Sequence, residues 1–146
     1  MQRQILIVED NPGDVRLMRE ALRETQPEVT IQVASDAEQA LAYLRREGPY
    51  AGAGRPSLIF LDFNLPKSGS RELLRLIKQD ESLRLIPVAV LTTSESDRDI
   101  REAYELHANC YLRKPIELDS FFSTVRAAAN FWLQVAYTPD GWVPAK

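Results

Sequence analysis

The chain has 146 residues, 45% of them hydrophobic, with 18 Lys and Arg against 21 Asp and Glu for a formal net charge of −3. That length and apolar content suit one globular unit, and mild acidity with no Lys/Arg-rich block excludes a surface that tracks a phosphate backbone, so no nucleic acid partner is expected. Only four apolar residues, Ile5 to Val8, precede Glu9-Asp10, too few for a signal segment or membrane span; a soluble, cytoplasmic protein is expected, and the single cysteine, Cys110, reads as a buried thiol with no internal disulfide or cysteine-based zinc site open to it.

Apolar runs of strand length alternate with segments of helical period, the pattern of an α/β domain with a doubly wound parallel sheet and helices on both faces. A first strand over Gln4 to Glu9 is followed by a turn at Asn11-Pro12-Gly13 and a helix from about Asp14 to Thr25, with Val15, Met18 and Leu22 on one face and Pro27 beyond its end. Val29, Ile31 and Val33 alternate as a second strand. Ser35 and Glu38 have the spacing of a capping box before a helix striped by Ala37, Ala40, Leu41 and Leu44, which Gly48-Pro49 closes. The stretch from Gly48 to Ser57 reads as a surface loop. Leu58 to Asp62 is apolar until it ends in a carboxylate, as befits a central strand covered on both faces. A helix with Leu73, Leu74 and Ile77 follows, then a strand at Pro87 to Leu91, a helix at Ser96 to Leu106 and a short strand at Asn109 to Leu112. The longest helix is expected over Leu118 to Ala136, so that one domain covers 1–136 and a tail covers 137–146.

In such a sheet ligands bind where the carboxyl ends of the strands meet a reversal of strand order. The first strand ends in Glu9-Asp10, the third in Asp62-Phe63-Asn64, the fourth in Thr92-Thr93, and the fifth leads into Lys114. Carboxylates crowded together repel one another unless they take up protons or admit a cation, and hard oxygen donors suit Mg²⁺. With the metal and Lys114 drawing off charge, a carboxylate oxygen of Asp62 can attack phosphorus in line to form an aspartyl phosphate, which Thr92 can hydrogen-bond.

These residues, Glu9-Asp10, Asp62-Phe-Asn-Leu-Pro66, Thr92 and Lys114-Pro115, resemble the receiver domain of bacterial two-component response regulators over about Gln4 to Ala129. The resemblance implies a flavodoxin-like five-stranded fold. It makes Asp62 the phosphoacceptor for a partner histidine kinase, Asp10 and Asp62 direct magnesium ligands, Glu9 a ligand through water, and Asn64 a backbone-carbonyl ligand. It also implies a bridge from Lys114 to the phosphate, a cis peptide at Lys114-Pro115, and a switch formed by Thr92 and Tyr111 with readout through the fourth and fifth helices. One departure is Ser70, where the family usually has Gly eight positions after the acceptor; Gly69 stands one place early. Arg55-Pro56, Leu91-Thr92-Thr93-Ser94, the run from Tyr104 to Leu112 and Phe131-Trp132-Leu133 look like the single-domain regulators that work with bacterial phytochromes. That implies a phytochrome kinase and a homodimer through the C-terminal helix region.

Plainer roles stand beside these. Asp62 could pair an ion, Glu9 and Asp10 could cap the first helix with Asn11 and Asp14, Lys114 could be solvated, and Thr92 and Tyr111 could fill strands. His107 is explained by the helix end it occupies. Phe131, Val135, Tyr137 and Trp142 exceed what one helical stripe can bury and suggest a contact surface. A phosphorylation-independent docking module is one alternative. A magnesium-dependent phosphohydrolase is another, but it would need a general acid at position 64, where Asn stands; flavin binding lacks a phosphate-cradling loop after the first strand. The chain is therefore expected to be a switch rather than an enzyme.

Overall fold

The structure, a computed structural model, describes residues 3–66 and 69–139. Five parallel strands, β1 (Gln4–Val8), β2 (Thr30–Ala34), β3 (Leu58–Leu61), β4 (Val88–Thr92) and β5 (Cys110–Arg113), lie in the order β2-β1-β3-β4-β5. Between them run α1 (Pro12–Thr25), α2 (Ala37–Leu44), α3 (Gly69–Gln79) and α4 (Asp97–Glu105), and α5 (Leu118–Asn130) closes the fold. The chain moves outward from β1 to β2 and then returns to β1's other side for β3, which makes the carboxyl ends of β1 and β3 the reversal point.

Strand side chains alternate between two cores, as the pleat requires. Ile5, Ile7, Leu58, Phe60, Ala89 and Leu91 pack on Met18 and Leu22 of α1 and on Phe121, Val125 and Ala129 of α5. Leu6, Val8, Ile59, Leu61, Val88 and Val90 pack on α2, α3 and Ala103 of α4. With apolar partners on both faces the central strands cannot alternate with polar residues, which is why β3 and β4 are continuous apolar runs.

The starts of α1, α2 and α4 follow side-chain capping. Asn11 Oδ1 accepts from the Asp14 N–H at 3.1 Å ahead of Pro12, and Ser96 caps α4. The cap of α2 is one residue later than expected: Asp36 accepts from the Gln39 N–H at 2.7 Å, and the Gln39 side chain reaches back to the Ser35 N–H. Asp36 fills the cap position with extended backbone, φ −150°, and a carboxylate acceptor. Two helices end in Schellman turns whose left-handed position is not glycine. Arg46 (φ 57°) follows α2, and His107 (φ 72°) follows α4 with the His107 N–H on the Tyr104 carbonyl and the Ala108 N–H on the Ala103 carbonyl.

Three expectations are corrected. The loop after α2 is tied down rather than merely exposed. Gly48–Tyr50 form a 3₁₀ turn, the Tyr50 ring packs edge-on against Tyr43, Pro56 is buried, and Arg55 donates to the Ser82 carbonyl at 2.8 Å. The last helix loses α geometry at Asn130 and continues as a π turn over Phe131–Val135, with Leu133 buried and Phe131 and Val135 exposed. Cys110 is half-buried, its thiol pushed up by burial against a hydrogen bond from Trp132. Trp142 and most of the tail lie outside the described residues. No helix among the described residues is long and apolar enough to cross a membrane.

Candidate functional site

Three of the candidate residues, Glu9, Asp62 and Lys114, are positioned by main-chain bonds that continue the sheet just past the strand ends. The Glu9 N–H donates to the Ala34 carbonyl at 3.0 Å, the Asp62 N–H to Val8 at 3.0 Å and the Lys114 N–H to Thr92 at 2.7 Å. The apolar strands therefore deliver Glu9, Asp10, Asp62, Thr92 and Lys114 to one edge. Glu9, Asp62, Thr92 and Lys114 are buried there and Asp10 is exposed.

Glu9, Asp10 and Asp62 each offer an oxygen, and these oxygens lie within 4.8 Å of one another. The Lys114 ammonium enters the cluster and donates to Glu9 Oε1 at 2.5 Å, Asp14 Oδ2 at 2.8 Å and Asp62 Oδ2 at 3.3 Å. The other Asp62 oxygen, Oδ1, accepts from the Asn64 N–H at 2.9 Å, which folds the acceptor loop back on its own side chain. The Asn64 amide then donates to Thr92 Oγ1 at 2.9 Å and to Thr93 Oγ1 at 3.3 Å. Because the Thr92 oxygen is the acceptor in that bond, its own O–H remains to be donated to a group on Asp62.

Burial, reinforced by the hydrogen bond and charge of Asp62 and opposed by Lys114, pushes Glu9 up to about 8. Lys114 is raised despite its burial, by hydrogen bonds to Asp14 and Glu9 and the charges of Glu9 and Asp62, so it stays an ammonium. One cation cannot balance this many carboxylates, and near neutral pH Glu9 keeps its proton. A divalent cation on the oxygens of Glu9, Asp10 and Asp62 would take the place of that proton. An all-oxygen donor set free of sulfur and imidazole fits such a hard ion.

The acceptor loop is also fastened to the helices behind it. Ser70, fully buried in the first turn of α3, donates its hydroxyl to the Asp62 carbonyl at 2.5 Å. Gly69 serves a different contact: a Cβ there would lie 3.0 Å from the Ala37 Cβ of α2. The glycine one place early thus lets two helices approach, while the serine supplies a donor where glycine has none. Phe63 is packed between Arg71, whose guanidinium lies 4.4 Å from the ring centre, and Tyr111, edge-on at 6.3 Å. Arg71 also pairs with Asp99 at 2.8 Å and with Glu102, both on α4. Tyr111 Oη donates to the Ser94 carbonyl at 2.9 Å. Residues beside the acceptor, the β4–α4 loop, α4 and β5 are thereby mechanically continuous.

The Lys114–Pro115 bond is trans, as are all described peptide bonds, against the expectation of a cis bond. The trans form is favoured by about 0.5–1 kcal/mol before proline, and in this form Lys114 already reaches its carboxylates. Asp14 and Arg71 are the residues that sequence reasoning missed as parts of the site. Asp14 reads locally as a helix-start residue and Arg71 as a solvated arginine, and only the fold reveals their partners. Among the described residues His107 lies apart from this edge, exposed at the end of α4.

Comparison with known proteins agrees with this geometry. The family model described as the response regulator receiver domain matches residues 5–126. The response regulator Rcp1 of Synechocystis sp. is 43% identical over 135 residues, covering 92% of this chain and 92% of that protein. The crystal structure of the phosphorylated cyanobacterial phytochrome response regulator RcpA superposes with a TM-score of 0.91 at 45% identity, covering 96% of this chain and all of that one. The Mn²⁺-bound form of Rcp1 superposes at 0.87 with 42% identity, covering 94% and 99%. With the family model matching residues 5–126 and relatives above 40% identity covered over nearly their whole length, the chain belongs to the response regulator receiver domain family.

Proposed function

We propose that the chain is a cytoplasmic, magnesium-dependent phosphoacceptor switch in which Asp62 takes a phosphoryl group from a histidine kinase, with 1–136 as the receiver and 137–146 as a tail. The observation that carries this reading is the Lys114 ammonium placed 3.3 Å from Asp62 inside a buried acidic cluster. Bound at Glu9, Asp10, Asp62 and the Asn64 carbonyl, Mg²⁺ would neutralise charge on the phosphoryl oxygens. Asp62 attacks phosphorus as the bond to the donor nitrogen breaks. Lys114 balances the charge that develops, and the free Thr92 O–H hydrogen-bonds the transferred group.

Adding about −1.5 to −2 charge beside Asp62 pulls Thr92 away from Asn64 and disturbs Phe63, hence Tyr111 and the α4 anchor Arg71. The kinase is a bacterial phytochrome, a reading supported by the likeness to phytochrome response regulators. Output through a homodimer is supported by Phe131, Val135 and Tyr137, which are 48%, 57% and 102% exposed at the C-terminal end. The chain acts as a switch without turnover of a small substrate.

The test is incubation with acetyl phosphate and Mg²⁺ beside Asp62→Asn, read by intact mass and repeated with the kinase core of a phytochrome as donor. Addition of one phosphoryl group, lost in the variant and in EDTA, is the expected result. Labelling of Asp62→Asn at the wild-type rate, or none of the wild type, sinks the reading.

A further inference from the structure

We propose that Asp14 is a positioning residue for phosphotransfer: it holds one N–H of Lys114 in the resting protein and yields it to the incoming phosphoryl group. The inference rests on the reading of Asp62 as phosphoacceptor. An ammonium has three N–H donors, and in the resting site all three are occupied, by Glu9 at 2.5 Å, Asp14 at 2.8 Å and Asp62 at 3.3 Å. Lys114 cannot reach a phosphoryl oxygen without leaving one of them.

The three partners differ in how readily they can be left. The side chains of Glu9 and Asp62 are 3% and 7% exposed, so an oxygen that lost the ammonium there would have little water to replace it. The Asp14 side chain is 29% exposed, and water can replace the ammonium as Lys114 departs. Asp14 also stands outside the oxygen cluster of Glu9, Asp10 and Asp62, and its backbone is pinned over the site by the Asn11 cap and Pro12. It is the nearer of the two aspartates to the ammonium, so it draws Lys114 from the acceptor. In the transfer, the bond from Asp62 oxygen to phosphorus forms as the phosphorus–oxygen bond of acetyl phosphate breaks. Acetate leaves with the electron pair, and Lys114 keeps its proton while one N–H turns from Asp14 to a phosphoryl oxygen.

The experiment compares wild type and Asp14→Asn in acetyl phosphate labelling at saturating Mg²⁺, followed by intact mass at low and high KCl. The variant is expected to be labelled about threefold to tenfold faster, with the gain kept at high salt, because loss of a direct contact is not screened whereas general repulsion of the anion is. A second readout needs no variant. The ¹⁵Nζ signal of Lys114, one of four lysines, is expected to shift on adding beryllium fluoride as a phosphoryl mimic, while the Asp14 carboxylate carbon takes the chemical shift of a solvated carboxylate. Equal or slower labelling of Asp14→Asn, a gain that vanishes at high salt, or an Asp14 carbon unmoved by the mimic overturns the proposal. If wild type itself is not labelled, the phosphoacceptor reading fails and this one with it; if wild type is labelled and the variant matches it, only the role of Asp14 falls.

Discussion

Glu9 makes the metal-free protein less stable as pH rises through neutrality. Its carboxyl goes from an ordinary 4.5 to about 8 on folding, chiefly because it is buried. Below the lower value both states hold the proton and the fold has its full stability. Between the two the unfolded chain has released the proton and the folded chain has not, so folding takes one up and stability falls with pH. Above the upper value the loss is complete. At about 1.4 kcal/mol per tenfold the ceiling is about 5 kcal/mol. With Lys114 beside the group and the site free to relax, a loss of about 2–3 kcal/mol is expected, in line with the weaker electrostatics that proteins display. Urea unfolding in EDTA at about pH 5.5 and about pH 8.5, followed by circular dichroism, measures it. Mg²⁺ at the higher pH should restore the difference by binding only the folded, ionised site. A Glu9→Gln variant as steep as wild type in EDTA, or stability that rises over this window, would refute the reasoning.

Ser70→Ala removes the hydroxyl that donates to the Asp62 carbonyl; it should lower stability by about 1–2 kcal/mol in urea titrations and slow acetyl phosphate labelling, since the acceptor loop loses its tie to α3. His107→Gly relieves a left-handed backbone at φ 72° and should raise stability by about 0.5–1 kcal/mol, seen as a higher urea midpoint with unchanged slope. Phe131→Asp places a charge on the exposed C-terminal apolar surface and should weaken a homodimer by about 1–3 kcal/mol, read by sedimentation velocity before and after phosphorylation. Sedimentation unchanged in both states would remove that surface from the interface.

The strand ends were legible in the sequence because burial on both faces forces continuous apolar runs, so that Glu9, Asp62 and Thr92 stand out as polar residues closing them. The pairing of Lys114 with Asp14 was not legible, because a hundred residues separate two side chains that local pattern assigns to a helix start and a solvated lysine. The cap at Asp36 was missed by one position because Ser35 and Asp36 are both good cap residues and local pattern does not separate them. The π turn after Asn130 leaves the apolar spacing of Phe131 to Val135 unchanged in kind, so periodicity alone runs the helix through it. Ser70 was visible as a departure, and its role became clear only with the carbonyl it faces.

The amides of Glu9, Asp62 and Lys114 are each bonded to a neighbouring strand of the sheet. A hydrogen bond of that kind opens only when the strands part, so these amides should exchange with solvent as slowly as the core and be set by the global unfolding free energy. Residues in loops ordinarily exchange through cheap local fluctuations. Here the backbone under the chemistry is insulated from them, and any opening large enough to let the acceptor amide exchange would also dismantle the sheet that holds the phosphoryl group's partners in place.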